Sequence, residues 1–147
     1  YERLMLNPKT GQVSRTMLDE APQEFPRFDE RRCTQSYRYA YTLALGAGGP
    51  NALLNGSQLY KHDMETGKRE IHDFGAGAVP GEFVFVPRSP GAEESDGWLM
   101  GYVINADANT SDLVILNADD FSGEPQAVIT IPQRIPPGFH GNWIPDV

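Results

Sequence analysis

The sequence predicts an all-β fold, and three observations support that prediction. Short runs alternate between large apolar residues and smaller or polar ones, as in residues 37–43, and a period of two is the signature of a strand. Turn-forming Asn, Pro and Gly residues separate these runs, as in residues 7–11. No segment has the longer period of an amphipathic helix. We therefore expect short strands joined by turns.

The first half of the chain begins with a predicted hairpin. Residues 3–6 form a candidate strand, and residues 7–11 form a turn because they start with Asn-Pro and end with Gly. Residues 12–18 return as the partner strand. Residues 24–32 are charged and irregular, so we predict a loop there. Residues 37–43 alternate Tyr with other residues and are the next predicted strand.

A second hairpin repeats the pattern of the first. Residues 58–63 lead into a turn at residues 64–67, which again ends in Thr-Gly, and residues 68–74 return. Repeated hairpins of this kind are typical of the blades of a β-propeller. The remaining strands are predicted at residues 83–87, 98–105, 112–117 and 126–131. Loops are predicted at residues 46–51, 75–81, 93–97 and 107–111.

Composition narrows the function classes. The net charge is −8, and the sequence contains no basic cluster that could bind phosphates. Both observations argue against a nucleic-acid partner. No apolar run approaches the ~20 residues that a membrane-spanning helix needs, and Tyr1 does not begin a signal-peptide pattern. The single cysteine, Cys33, excludes an internal disulfide and fits a reducing compartment. We therefore expect a cytoplasmic protein.

A histidine near the end of the chain is the main candidate for chemistry. Residues 131–144 read Ile-Pro-Gln-Arg-Ile-Pro-Pro-Gly-Phe-His-Gly-Asn-Trp-Ile, so His140 lies between Gly138 and Gly141 after a proline-rich approach. Prolines restrict the backbone, and glycines allow a sharp turn. His140 is a candidate metal ligand or acid/base group. The alternative is a buried histidine that bonds to a neighbouring carbonyl.

The last of three motifs resembles the closing motif of the carotenoid cleavage oxygenases. This motif is Arg-Ile-Pro-Pro-Gly-Phe-His-Gly-Asn-Trp, residues 134–143. The family also holds the lignostilbene dioxygenases and the retinoid isomerase of the eye. Residues 80–88, Pro-Gly-Glu-Phe-Val-Phe-Val-Pro-Arg, and residues 24–29, Glu-Phe-Pro-Arg-Phe-Asp, agree with the family in order and approximate spacing. The three motifs lie between residues 24 and 143, so the resemblance extends over nearly the whole chain.

The resemblance implies a fold and a metal site. The family fold is a seven-bladed β-propeller with iron(II) on its axis, held by four histidines. Residues 1–147 would then be the C-terminal part of a single catalytic propeller domain, about three blades long, and a piece of a longer chain. His140 would be the last ligand, and the remaining blades, upstream of Tyr1, would carry the other three. Glu24 and Glu82 would hydrogen-bond to ligand imidazoles and orient them.

The resemblance also implies an activity. Family members use dioxygen to cleave a carbon–carbon double bond of a conjugated small molecule and release two carbonyl products. Carotenoids or apocarotenoids and stilbene-type compounds remain open as substrates, as does membrane association. One residue departs from the family pattern: Phe83 follows Glu82 where the family usually has proline.

Other side chains in the sequence have simpler expected roles. His62 and His72 each precede an aspartate, so we expect both at the solvated surface and not at a metal. The acidic stretch at residues 93–96 is expected to be a solvated turn. Most aromatic residues are expected in the core; the exceptions are Phe25 and Phe139, which adjoin the motif residues. Alternatively, these aromatic residues line a tunnel for a long conjugated substrate.

Two rival functions come from the same pattern. A non-enzymatic β-propeller or β-sandwich binding module would give His140 a purely structural role, and the iron content of the complete protein separates this rival from the oxygenase. A cupin-type metal enzyme would cluster its ligand histidines in one or two short motifs. No such cluster occurs in this sequence.

Overall fold

The computed structural model describes residues 1–47, 49 and 51–145, and it confirms the all-β prediction. Two short 3-10 helices, Glu30–Arg32 and Ala52–Leu54, lie between strands. No helix in the described part of the chain has the length and apolar character to cross a bilayer. The strands are β1 Glu2–Leu6, β2 Val13–Met17, β3 Gln23–Phe28, β4 Tyr39–Ala44, β5 Gln58–Asp63, β6 Arg69–Asp73, β7 Ala78–Pro80, β8 Val84–Pro87, β9 Gly97–Asn105, β10 Thr110–Asn117 and β11 Ala127–Ile131.

The strands form a hairpin and two larger antiparallel sheets. Strands β1 and β2 pair only with each other, whereas β3, β4, β5 and β6 form a four-stranded meander, the first sheet. The second sheet has the order β11, β10, β9, β7, and β8 also pairs with β9. Because β7 and β8 lie one after the other along the same edge of β9, they act as one interrupted strand. A four-stranded sheet, a five-stranded sheet and a hairpin are therefore found where about three blades were predicted.

The hydrophobic core lies between the two larger sheets. Tyr41 packs against Phe85 on β8 and against Phe121 in the loop between β10 and β11, with ring centroids 6.2 Å apart in each pair. Burial of this apolar surface is the main force that holds the sheets together. The fully buried members of the cluster are Tyr41, Leu43, Leu59, Phe83, Leu99, Val103, Val114, Leu116, Ala118 and Phe121.

Two predicted loops contain strands. The segment 24–32 was predicted as a loop, but β3 occupies Gln23–Phe28; the segment 75–81 likewise contains β7. In β3 the pairing register with β4 shifts between Glu24 and Arg27. Such a bulge destroys the alternation of apolar and polar residues that identifies a strand in a sequence. Strand β7 has only three residues, too few to show an alternating pattern.

The expectation that His62 and His72 are solvated is wrong, because both are buried. The His62 Nε2 atom lies 2.7 Å from Gln23 Oε1 and 3.1 Å from Thr42 Oγ1. Burial lowers the pKa of His62, and the nearby Asp19 carboxylate partly offsets that effect. His72 donates from Nδ1 to the carbonyl of Phe121 at 2.9 Å. His72 faces the core between the two larger sheets, whereas His62 lies on the opposite face of the first sheet, near Tyr1 and Asp19. Polar partners compensate for the burial of each histidine.

The expectation of a solvated acidic turn is wrong for Glu94. Its carboxylate accepts hydrogen bonds from the backbone N–H groups of Arg38 and Tyr39, at 2.6 and 2.8 Å. It also pairs with Arg32 at 3.1 Å. All three partners belong to the first sheet and the segment before β4, whereas Glu94 belongs to the loop before β9. The acidic loop therefore ties the second sheet to the first.

Replacement of His72 by alanine is expected to destabilise the fold. The change leaves the buried Phe121 carbonyl without its donor, which costs about 1–3 kcal/mol, and it opens a cavity beside Phe74 and Phe121. Ile71→Ala, at the exposed neighbouring position on β6, is the matched control. Urea unfolding of the complete protein measures both changes. Equal stability of the two variants would contradict the structural role of His72.

Candidate functional site

The interruption between β7 and β8 places Glu82 at the edge of the second sheet. Gly81 donates to the carbonyl of Tyr102 at 2.8 Å, which keeps this segment against β9. Residue 101 must be glycine here: a Cβ atom would lie 2.8 Å from the Glu82 carbonyl oxygen and 2.5 Å from the Phe83 ring. The missing side chain thus lets residues 82 and 83 approach β9 closely.

The carboxylate of Glu82 binds the segment that carries His140. Its side chain is only 5% exposed, and Oε1 lies 3.2 Å from His140 Nδ1. The other oxygen, Oε2, accepts the backbone N–H of Gly141 at 3.0 Å. An ionised carboxylate can only accept hydrogen bonds, so the proton of a neutral His140 resides on Nδ1. The lone pair of Nε2 is then available to a metal ion.

His140 itself lies on an extended segment without strands, residues 132–145. Its side chain is 72% exposed within this chain, and its Nδ1 partner is the Glu82 carboxylate and not a carbonyl. Ser111 Oγ accepts the N–H of Ile135 at 2.9 Å and anchors the start of the segment. Prolines at 132, 136 and 137 cannot donate backbone hydrogen bonds. The few polar contacts of residues 140–142 therefore determine where the imidazole points.

Phe25 forms one wall beside the imidazole. Its ring meets that of His140 edge-on at 5.5 Å between centroids, and that of Phe139 at 6.4 Å. Phe25 has a φ of 52°, a left-handed conformation that is costly for a bulky residue. The bulge in β3 imposes this conformation, and bulges commonly redirect a side chain in this way. The contact between Phe25 and His140 therefore requires a strained backbone at Phe25.

The structure does not bring Glu24 into this arrangement. Glu24 is exposed, and its carboxylate makes no hydrogen bond or ion pair with the residues that the structure describes. Like Glu82, it precedes a phenylalanine at an irregularity of an edge strand. The predicted orienting role of Glu24 stays a prediction.

Two residues of the site were not singled out from the sequence. Arg27 donates from Nη2 to Asn142 Oδ1 at 3.0 Å and to the carbonyl of Gly141 at 3.3 Å. Its Nη1 atom lies 3.7 Å from Glu82 Oε1. Both Arg27 and Asn142 belong to the quoted motifs, Glu-Phe-Pro-Arg and His-Gly-Asn-Trp, and that membership was the available signal.

The donor set fits one ligand of a larger metal site. No group of three or more His, Cys, Asp or Glu side chains that could hold a metal occurs in the described portion of the chain. His140 offers a single imidazole nitrogen, whereas the contacts of His62 and His72 are with other protein groups. A metal held by His140 needs further ligands from outside these residues.

Comparisons with known proteins agree with the three motifs. The sequence model of the family described as retinal pigment epithelial membrane protein, RPE65, matches residues 1–145. The chain is 37% identical to the carotenoid cleavage oxygenase of Mycobacterium tuberculosis, covering 98% of this chain and 29% of the relative. It is 33% identical to the apocarotenoid-15,15'-oxygenase of Synechocystis, with 96% and 28% covered. For the isoeugenol monooxygenase of Pseudomonas nitroreducens the identity is 34%, with 95% and 30% covered.

Solved structures agree with the sequence relatives. The cobalt-substituted Synechocystis ACO superposes with a TM-score of 0.86 and 29% identity, over 97% of this chain and 29% of that one. The Glu150Asp mutant of the Synechocystis apocarotenoid oxygenase gives a TM-score of 0.85 and 31% identity, with the same coverage. These structures are seven-bladed β-propellers, so the sheets described above are blades, and the chain spans under a third of such a protein. The chain belongs to the RPE65 family, the family of the carotenoid cleavage oxygenases.

Proposed function

We propose that the protein containing this chain is a non-haem iron(II) dioxygenase that cleaves a carbon–carbon double bond of a carotenoid, an apocarotenoid or a stilbene-type substrate. One dioxygen molecule is consumed, and each of the two carbonyl products receives one oxygen atom. The observation that carries the proposal is the contact between Glu82 and His140, which leaves one imidazole nitrogen available. The names of the relatives, which include carotenoid and apocarotenoid oxygenases, support the substrate class.

The chain contributes part of the metal site. His140 supplies one imidazole ligand, and three histidines on the remaining blades supply the others. Bound iron(II) supplies the capacity to activate dioxygen. Glu82 keeps the proton on Nδ1 of His140, fixes the ring orientation and makes the imidazole a stronger donor. The exposed carboxylate of Glu24 is proposed to orient a second ligand imidazole in the same way.

The chain also contributes apolar surface beside His140. The rings of Phe25 and Phe139 lie next to the imidazole, where a conjugated hydrocarbon gains from contact with aromatic faces and edges. Such walls keep water away from the reacting double bond. The isoeugenol monooxygenase relative keeps smaller aromatic substrates in the proposal beside carotenoids.

The location and the extent of the domain are part of the same proposal. The chain covers only 29% of its Mycobacterium relative, which supports residues 1–147 as a part of one propeller domain in a longer chain. The single cysteine, Cys33, supports a cytoplasmic location. A non-enzymatic module with a structural His140 has less support, because Glu82 binds Nδ1 and the other imidazole nitrogen contacts no group among the described residues.

Replacement of His140 by alanine in the complete protein tests the proposal directly. A four-histidine site that loses one ligand loses affinity and geometry together, so we expect no cleavage and a sharp fall in bound iron. The measurement is iron per chain beside the rate of carbonyl formation from a stilbene and from an apocarotenoid. His62→Gln, which removes an imidazole from the first sheet, is expected to keep both. An active, iron-replete His140→Ala protein would overturn the proposal.

Replacement of Glu82 by glutamine is expected to be milder. The amide oxygen still accepts from one donor, but the neutral group no longer raises the basicity of His140. Losses of about 10- to 100-fold in metal affinity or rate are typical for such changes. Iron titration of the metal-free variant and kcat with saturating substrate measure the two effects. Unchanged values for both would remove Glu82 from the site.

The 147-residue chain alone is expected to bind iron(II) no better than an exposed surface histidine does. The reason is that His140 is the one exposed imidazole near the Glu82 carboxylate, and one imidazole cannot hold iron(II) firmly. Dialysis against a mild chelator followed by metal analysis gives the answer. Stoichiometric iron that survives this treatment would show that the ligands lie elsewhere in the chain.

A further inference from the structure

We propose that Arg27 is a positioning residue for the iron site: it holds the segment that carries His140 through Glu82, Gly141 and Asn142. The inference rests on the proposed function, since it takes His140 to be a metal ligand. Arg27 lies on β3, Glu82 between β7 and β8, and the other two residues lie on the terminal segment. One guanidinium thus joins three parts of the chain that are far apart in sequence.

The geometry uses the planar fork of the guanidinium. Nη2 donates to Asn142 Oδ1 at 3.0 Å and to the Gly141 carbonyl at 3.3 Å, while Nη1 faces Glu82 Oε1 at 3.7 Å. Glu30 Oε1 lies 2.9 Å from the same Nη2 atom and forms an ion pair with the guanidinium. Lysine cannot reproduce this set, because its single nitrogen cannot lie both at residues 141–142 and beside Glu82.

A second contact closes the arrangement around Asn142. Its Nδ2 donates to Glu30 Oε2 at 3.1 Å, and its Oδ1 also accepts the backbone N–H of Trp143 at 2.9 Å. Asn142 therefore meets both members of the Arg27–Glu30 ion pair with both ends of its amide. The side chain of an asparagine matches such a pair, whereas that of an aspartate would meet Glu30 with a like charge.

Charge gives Arg27 a second role in the same place. The Glu82 side chain is almost fully buried, and an isolated carboxylate in that setting is costly. The Gly141 N–H and the His140 Nδ1–H compensate for part of this cost, and the Arg27 guanidinium supplies a formal positive charge. Removal of one partner from a buried ionic group typically weakens the remaining contacts of that group. The loss of Arg27 therefore affects His140 from two sides, through the backbone of residue 141 and through Glu82.

Within this chain the terminal segment has few other contacts near His140. The side chains of Phe139, Trp143 and Ile144 are substantially exposed among the described residues, so this part of the protein gives residues 139–144 little apolar burial. A metal ligand must be held within about 0.5 Å of its productive position. The Arg27 contacts supply this restraint on the C-terminal side of His140.

The test compares Arg27→Met with a matched control in the complete protein. Methionine keeps the length of the side chain but removes the donors and the charge. Arg31→Met is the control: Arg31 likewise joins a carboxylate, Asp29, to backbone carbonyls of a distant segment, Ser89 and Pro90, but it does not contact Glu82 or residues 139–143. Asn142→Ala removes the Arg27 contact from the other partner and leaves β3 unchanged.

Two measurements report on each variant. The first is amide hydrogen exchange of the metal-free protein, followed by mass spectrometry of a peptide that covers residues 138–145. The second is the rate at which a chelator removes iron from the loaded protein. For Arg27→Met and Asn142→Ala we expect both rates to rise on the order of 10-fold, with intermediate values for Arg27→Lys. Peptides from β4 and β9 should exchange as in the unmodified protein, which shows that the sheets remain folded.

The outcomes separate this inference from the proposed function. Unchanged exchange of residues 138–145 in both Arg27→Met and Asn142→Ala would overturn the positioning role, and so would an equal effect of Arg31→Met. Faster exchange with unchanged iron release would also overturn it, because the restraint would then have no consequence for the metal. The proposed function fails separately, when His140→Ala keeps its iron.

Discussion

The pairing of a buried carboxylate with a histidine on an otherwise loosely held segment is the constraint on which this site depends. Glu82 lies at a break in the edge strand of the second sheet, where burial of its charge costs free energy unless hydrogen-bond donors surround the carboxylate. The terminal segment supplies two donors, His140 Nδ1 and the Gly141 N–H. Hydrogen bonds to a charged group contribute about 1.5–3 kcal/mol each. The same contacts that offset the burial of Glu82 also define which nitrogen of His140 is free.

Backbone irregularity positions the site residues. The β3 bulge turns Phe25 towards His140, and the gap between β7 and β8 allows Glu82 to point at the same place. Strands β3 and β8 belong to different sheets but contact each other, so the two irregularities are neighbours. In a regular strand the side chains would alternate between the two faces of the sheet, and Phe25 and Glu82 would not both point towards His140. The strain at Phe25 is compatible with a stable fold because the surrounding core is well packed.

Polar contacts link the two larger sheets to each other. Lys61 donates to the carbonyl of Ala118 at 2.6 Å, and its ammonium lies 4.7 Å from the centre of the Tyr39 ring. His72 and Glu94 make further contacts between the sheets. Apolar burial supplies most of the stability, whereas these directional contacts specify how the sheets face each other.

The sequence by itself determined the all-β class, the hairpins with Thr-Gly turns and the family, and it is the source of the prediction that His140 and Glu82 are site residues. Those features depend on local alternation, turn chemistry and short motifs, all of which can be read within a few residues. Tertiary structure decided which partners meet: Glu82 and His140 are 58 residues apart, and Arg27 and Asn142 are 115 apart. It also decided that His62 and His72 are buried and that Glu94 contacts the first sheet, because exposure depends on how the sheets pack and not on the neighbouring residues. The bulge in β3 escaped sequence reasoning for the related reason that an irregular strand lacks the alternation by which strands are recognised.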